Sequence, residues 1–165
     1  MLRGFYKTDV VTLTQDEPVT KAAALMRDRH IGNVVVVRRL RSDGMRDAFV
    51  PVGLITDRDI AIGCVASGSE RAMEMSVEEV MSRDPICAKE TDGIYEVVQT
   101  MRQMGVSRMP VVNELGHLVG IITAKNILAL LSDELTEVVE ISDAQREAAQ
   151  MAAPSRKRPR ELRLQ

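Results

Sequence analysis

A chain of 165 residues that is 45% hydrophobic and 28% charged carries enough apolar side chains for one compact core and enough charge to stay in water. A formal net charge of −2 excludes a global field that recruits nucleic acid or a membrane surface, and 2% aromatic residues with no Trp exclude a base-stacking platform for single strands. No apolar run reaches the ~18 residues of a membrane span, no continuous apolar leader opens the chain, and Cys64 and Cys87 lack CxxC spacing. A reduced, cytoplasmic setting without a membrane partner is the expectation.

In chain order, a short strand is expected near Val10–Leu13, followed by a helix begun by Asp16 with Pro18 in its first turn. Val19, Ala22, Ala23 and Met26 fall at helical spacing along it, and it ends near His30, Ile31 and Gly32. Strands at Val34–Val37 and Phe49–Ile55 form a hairpin, and its loop, Arg38–Ala48, reads as a solvated arginine-rich tip. The second strand runs directly into a helix from about Asp57 to Ala66, with Thr56 placed to cap it. A linker, 67–75, precedes Ser76-Val77-Glu78-Glu79, a capping-box match that starts a brief helix to about Met81.

The same order then returns. Ile94, Val97, Val98 and Met101 repeat the first helix with a constant shift of 75 residues, and Met109–Val112 repeat Val34–Val37. From Gly53 and Gly120 onward the shift is 67, so the first copy carries eight extra residues, assigned to the loop Arg38–Ala48 opposite the tight Asn113–His117 turn. The fold class is therefore α/β (α+β): two β-α-β-β-α units, 8–66 and 76–132, packed about a pseudo-two-fold axis because neither buries enough surface alone. Ile60 and Ile127 are expected to face a second module. An acidic C-terminal helix, 133–153, carries a short apolar stripe at Leu135, Val138 and Val139. The segment 154–165, with five basic residues, one acidic residue and two prolines, reads as a mobile basic tail.

The functional signal lies where each second strand meets its helix, PVGLITDRD at 51–59 and LVGIITAKN at 118–126. Such a junction brings backbone N–H groups and the positive end of a helix to one point, which suits a phosphate. Asp59, three residues after Thr56, is placed to accept two ribose hydroxyls. On the plainer reading, Thr56 and Asp59 cap the helix, Asp57 and Asp59 favour its positive end by about 0.3–1 kcal/mol, and Lys125 and Arg58 are solvated. His30 and His117 stand apart, at a helix end and a hairpin tip, and make no metal site.

These paired Gly-x-x-Thr-x-x-Asp/Asn turns resemble the cystathionine-β-synthase (CBS) domain family. So do the hairpin strand VSRMPVV at 106–112 and the lead-in VMSRDP at 80–85. The resemblance covers about residues 8–132. It implies a Bateman module of two CBS domains that pairs into a disc-shaped homodimer. It also implies clefts that take AMP, ADP, ATP, S-adenosylmethionine or NAD and report their occupancy to a regulated partner. The chain would be no enzyme and would require no cofactor. Carried over by position, Asp59 would hold the ribose, Thr56 a phosphate and the main chain of Val11 and Thr12 the adenine edge. Arg108 and Lys125 would reach across from the other copy. A second, weaker site would use Thr123, Asn126, Ile86 and Cys87, with Arg58 crossing to it. There Asn126 replaces the aspartate and removes a charge-assisted hydrogen bond, and Asn33 stands where the second copy has Arg108. Two other readings stay open: a ligand-free structural dimerisation module, and a nucleic-acid-associated regulator acting through the basic tail.

Overall fold

The computed structural model describes residues 2, 4–40, 47–66, 68 and 71–152; most of the Arg38–Ala48 loop tip and the whole 154–165 tail lie outside them. The first copy comprises β1 (Thr12–Leu13), α1 (Val19–Arg29), β2 (Asn33–Leu40), β3 (Ala48–Thr56) and α2 (Asp57–Ile60). A π-helical stretch, Ala61–Ala66, continues α2. After a single 3-10 turn at Ala72–Glu74 come α3 (Val77–Val80) and β4 (Ser82–Arg83). The second copy repeats the order with β5 (Ala88–Lys89), α4 (Ile94–Met104), β6 (Arg108–Val112), β7 (Leu118–Thr123) and α5 (Ala124–Ala152).

Each copy forms its own sheet around a hairpin. β1 pairs parallel with β2 and β2 antiparallel with β3; β5, β6 and β7 repeat this arrangement. Register irregularities fall at Val36/Val37 and Val111/Val112, the same position in both copies. The duplication is thus kept down to a single bulge.

The copies exchange the segments that lead into them. β4 enters the second copy yet pairs antiparallel with β3 of the first, Ser82 opposite Leu54. Lys7 enters the first copy yet pairs with Ile121 of β7, through two backbone hydrogen bonds of 2.9 Å. Backbone approaches so closely here that a side chain has no room. A Cβ at Gly53 would lie 3.1 Å from Ser82 O and overlap Met81 Sδ, and one at Gly120 would lie 2.8 Å from Lys7 O and overlap the Tyr6 ring. The two glycines at the heads of the repeated turns are therefore crossing points.

Two apolar clusters follow the repeat. In the first, Val19, Ala22 and Met26 of α1 meet Leu13, Val34, Val36 and Ile55. In the second, Val97 and Met101 of α4 meet Ala88, Met109, Val111 and Ile122. Leu13 and Ala22 become Ala88 and Val97, so a large strand residue over a small helix residue is traded for the reverse, which conserves volume. Each fully buried aliphatic side chain contributes about 1.5–3 kcal/mol, and no described polar or charged side chain is buried.

Several expectations are corrected. α1 begins at Val19, not Asp16. Glu17 O and Gln15 O accept from the backbone N–H groups of Val77 and Glu78, so those residues are zipped to α3 instead of coiling. Part of the eight-residue insertion lengthens the hairpin, where Arg38, Arg39 and Leu40 pair with Val50, Phe49 and Ala48, and Arg39 holds Asp47 across the strands. Ile127, expected to face a second module, is buried in the second core. Finally, α5 does not stop near residue 132. It is continuous to Ala152, because no Gly or Pro interrupts 124–152.

Candidate functional site

The exchange of lead-ins creates two cavities at equivalent positions. The larger, about 500 Å³, is lined by Leu54, Thr56, Asp57 and Arg58 from the first copy's turn, Ser82–Ile86 from the second lead-in, and Gly105–Arg108 with Pro110 at the start of β6. The smaller, about 240 Å³, is lined by Ile121, Thr123, Lys125 and Asn126 from the second turn, Lys7 and Asp9–Val11 from the first lead-in, and Ile31 and Asn33. Each turn therefore faces the strand entering the other copy.

This regroups the residues singled out in the sequence. Thr56, Arg58, Ile86 and Arg108 share the larger cavity. Val11, Thr123, Lys125 and Asn126 share the smaller. The expected set joining Val11 and Lys125 to Thr56 and Asp59 is not brought together. Thr12 and Cys87 line neither cavity. Thr12 opens β1, and the Cys87 thiol donates to Pro85 O at 3.3 Å. Burial pushes the Cys87 and Cys64 thiols up, so neither is a thiolate nucleophile at neutral pH.

Asp59 lines neither cavity and is hydrogen-bonded to Thr56, which lines the larger one. Its Oδ2 accepts from Thr56 N at 2.8 Å and from Thr56 Oγ1 at 2.7 Å, and Asp59 N donates to Thr56 Oγ1 at 3.2 Å. This is a complete capping box. The second copy keeps part of it with an amide: Thr123 Oγ1 donates to Asn126 Oδ1 at 2.6 Å, and Asn126 N donates to Thr123 Oγ1 at 3.1 Å. The threonine hydroxyl and the residue three places on are thus engaged with each other in both turns.

The first-turn amides of α2, where the sequence suggests an anion, are hydrogen-bonded within the chain. Asp57 N donates to Gly32 O at 3.3 Å, Arg58 N to Asp57 Oδ1 at 2.8 Å and Asp59 N to Thr56 Oγ1. Every one of these donors is already satisfied within the chain. Three guanidinium groups stand on the larger wall, those of Arg58, Arg83 and Arg108, beside the carboxylates of Asp57 and Asp84. Arg108 reaches from β6 to Gly32 O of the first copy at 3.4 Å and so ties the copies together across the cavity. Asp84 takes a left-handed conformation, φ 51°, that turns the lead-in from β4 toward Ile86. Arg83 and Asp84 were not singled out as ligands, although both lie in the VMSRDP lead-in. Their signal was the shift of 75 that makes this lead-in the equivalent of Lys7–Val10.

Among the described residues no three His, Cys, Asp or Glu side chains converge as a metal site, and no helix is long and apolar enough to cross a membrane.

The chain belongs to the CBS domain family, whose sequence model matches residues 2–63 and 77–133, and it is a tandem CBS pair, a regulatory module. MK0525 of Methanopyrus kandleri is 33% identical over 122 residues, 74% of this chain and 58% of that protein. Inosine-5′-monophosphate dehydrogenase of Thermoplasma acidophilum is 36% identical over 120 residues, 73% of this chain and 21% of the dehydrogenase. The chain thus spans less than two thirds of either relative. Among solved structures, it is similar to the CBS domain pair of protein MJ0100 in complex with 5′-methylthioadenosine and S-adenosyl-L-methionine. Identity there is 25% and the TM-score 0.64, covering 79% of this chain and 98% of that one.

Proposed function

We propose that the chain is a sensor that binds an adenosine ligand in its larger cavity and conveys occupancy to a partner protein. The cavity itself carries this reading: at about 500 Å³ it falls in the range of small-molecule sites, ~300–1,000 Å³, and the smaller one, about 240 Å³, falls below it. Leu54, Ile86, Val106 and Pro110 offer an apolar wall for a base, and Arg58 and Arg108 offer bidentate donors to phosphate. The adenosine compounds bound by the CBS pair of MJ0100 support the ligand class.

Asp59 is assigned the ribose. Its Oδ1 has no hydrogen-bond partner among the described residues, and Asp59 adjoins Thr56 on the wall. A side-chain rotation that releases the Thr56 hydroxyl presents the carboxylate to the sugar. The two cysteines, Cys64 and Cys87, lack CxxC spacing, which fits a cytoplasmic setting.

The module is assigned to a homodimer. α5 exposes Leu128, Leu131, Leu135 and Val138 at heptad spacing, each between 47% and 68% exposed, a stripe suited to a second copy. A melting-shift panel of AMP, ADP, ATP, S-adenosylmethionine and NADH tests the ligand reading. At a hundred times its dissociation constant the true ligand adds about 2.7 kcal/mol of stability. A panel with no shift points to a purely structural module.

A further inference from the structure

The three guanidinium groups on the larger wall are in three different states. Among the described residues, Arg58 has no ion pair and Arg108 donates only to the neutral carbonyl of Gly32. Arg83, on β4, is neutralised: its Nη1 lies 3.0 Å from Glu78 Oε1. Glu78 is not part of the cavity wall. It sits on α3, where the same Oε1 also accepts from Gln15 Nε2 at 3.3 Å and Glu78 N donates to Gln15 O at 3.1 Å. The carboxylate is therefore anchored from the other side and stays behind when Arg83 moves. The pair is open to solvent, 61% and 42% exposed, so little stability is lost when it opens.

We infer that Arg83 is the residue by which this cavity distinguishes nucleoside di- and triphosphates from monophosphates, with Glu78 as the competitor that sets the threshold. The inference rests on the adenosine-ligand reading. A single phosphate is met by Arg58 and Arg108 with no ion pair broken. Each further phosphate brings negative charge that Asp57 and Asp84 on the same wall oppose, and Arg83 is the remaining guanidinium able to balance it. A phosphate offers the planar fork two acceptor oxygens and more charge than a carboxylate, so it displaces Glu78 where a lone monophosphate does not.

Titration calorimetry of AMP, ADP and ATP, without magnesium, against wild type, Arg83→Gln, Arg83→Lys and Glu78→Gln tests this directly. Wild type is expected to bind ATP more tightly than AMP. Arg83→Gln should shrink the ATP-to-AMP affinity ratio about tenfold and Arg83→Lys by an intermediate factor, since charge remains but the fork is lost. Glu78→Gln should widen the ratio severalfold, because the competitor is gone. Circular dichroism confirms that each variant folds. AMP binding with a ratio unchanged in Arg83→Gln and Glu78→Gln overturns the selectivity role and leaves the adenosine reading standing. Wild type that binds none of the three overturns both.

Discussion

At the scale of single residues, the two turns share one contact, a threonine hydroxyl engaged with the side chain three places on. Asp59 and Asn126 both accept from a threonine hydroxyl three residues back, so capping does not need the charge. Asp59→Asn therefore separates fold from ligand. It should leave the melting temperature nearly unchanged and weaken AMP at least tenfold, through loss of a charged hydrogen bond worth about 1.5–3 kcal/mol. Equal AMP affinity for Asp59→Asn and wild type, read by calorimetry, would confine Asp59 to capping. The crossing glycines make a second prediction. Gly120→Ala places a methyl group against Lys7 O and the Tyr6 ring. It should destabilise by about 1–3 kcal/mol, the usual cost of overpacking. Urea unfolding checks it; a neutral result would mean that the lead-in is loosely held.

At the scale of elements, the sequence showed the helices and hairpins because their apolar side chains repeat with a fixed shift. It did not show which copy each lead-in completes. Lys7 and Ser82–Arg83 are short and polar, with no periodic side-chain pattern, and their pairing is made by backbone groups common to every residue. For that reason Val11 was grouped with the turn of its own copy. Gly53 and Gly120 were visible traces of the crossing, since both stand where a second backbone passes. The junction of 15–18 with α3 was equally hidden, although the Ser76–Glu79 capping box within it was legible. Glu79 Oε2 accepts from Ser76 N at 2.7 Å and from Ser76 Oγ at 3.0 Å, and these bonds hold its carboxyl below the ordinary value of 4.5. The folded state thus binds this proton less readily than the unfolded chain. Its stabilisation is full above about pH 4.5 and fades as pH falls through the depressed folded value. Glu79→Gln should flatten the acid limb of a melting-temperature profile between pH 5 and pH 3, and an unchanged slope would remove Glu79 as a contributor.

At the scale of the whole molecule, two copies that exchange lead-ins cannot be separated without cutting into each other's sheet. The first copy made alone would lack Lys7's partner strand and β4. Both copies fall in one compact unit, Met1–Ile127, and the larger cavity is lined by residues of each. Association is a separate question at this scale. Leu135→Glu combined with Val138→Glu introduces charge into the exposed α5 stripe, and sedimentation should show a shift from dimer to monomer with nucleotide binding retained. A dimer that survives the double substitution would place the contact elsewhere.

The central claim is that an adenosine phosphate sits where the first copy's turn meets the second copy's lead-in. Titration of AMP against wild type, Arg108→Gln and Lys125→Gln addresses it most directly, because the two substitutions fall in different cavities at the two crossings. One AMP per chain is predicted, weakened at least tenfold by Arg108→Gln, the loss expected for a charged phosphate contact, and no more than about twofold by Lys125→Gln. The opposite order of losses, or a site untouched by either change, would contradict the account.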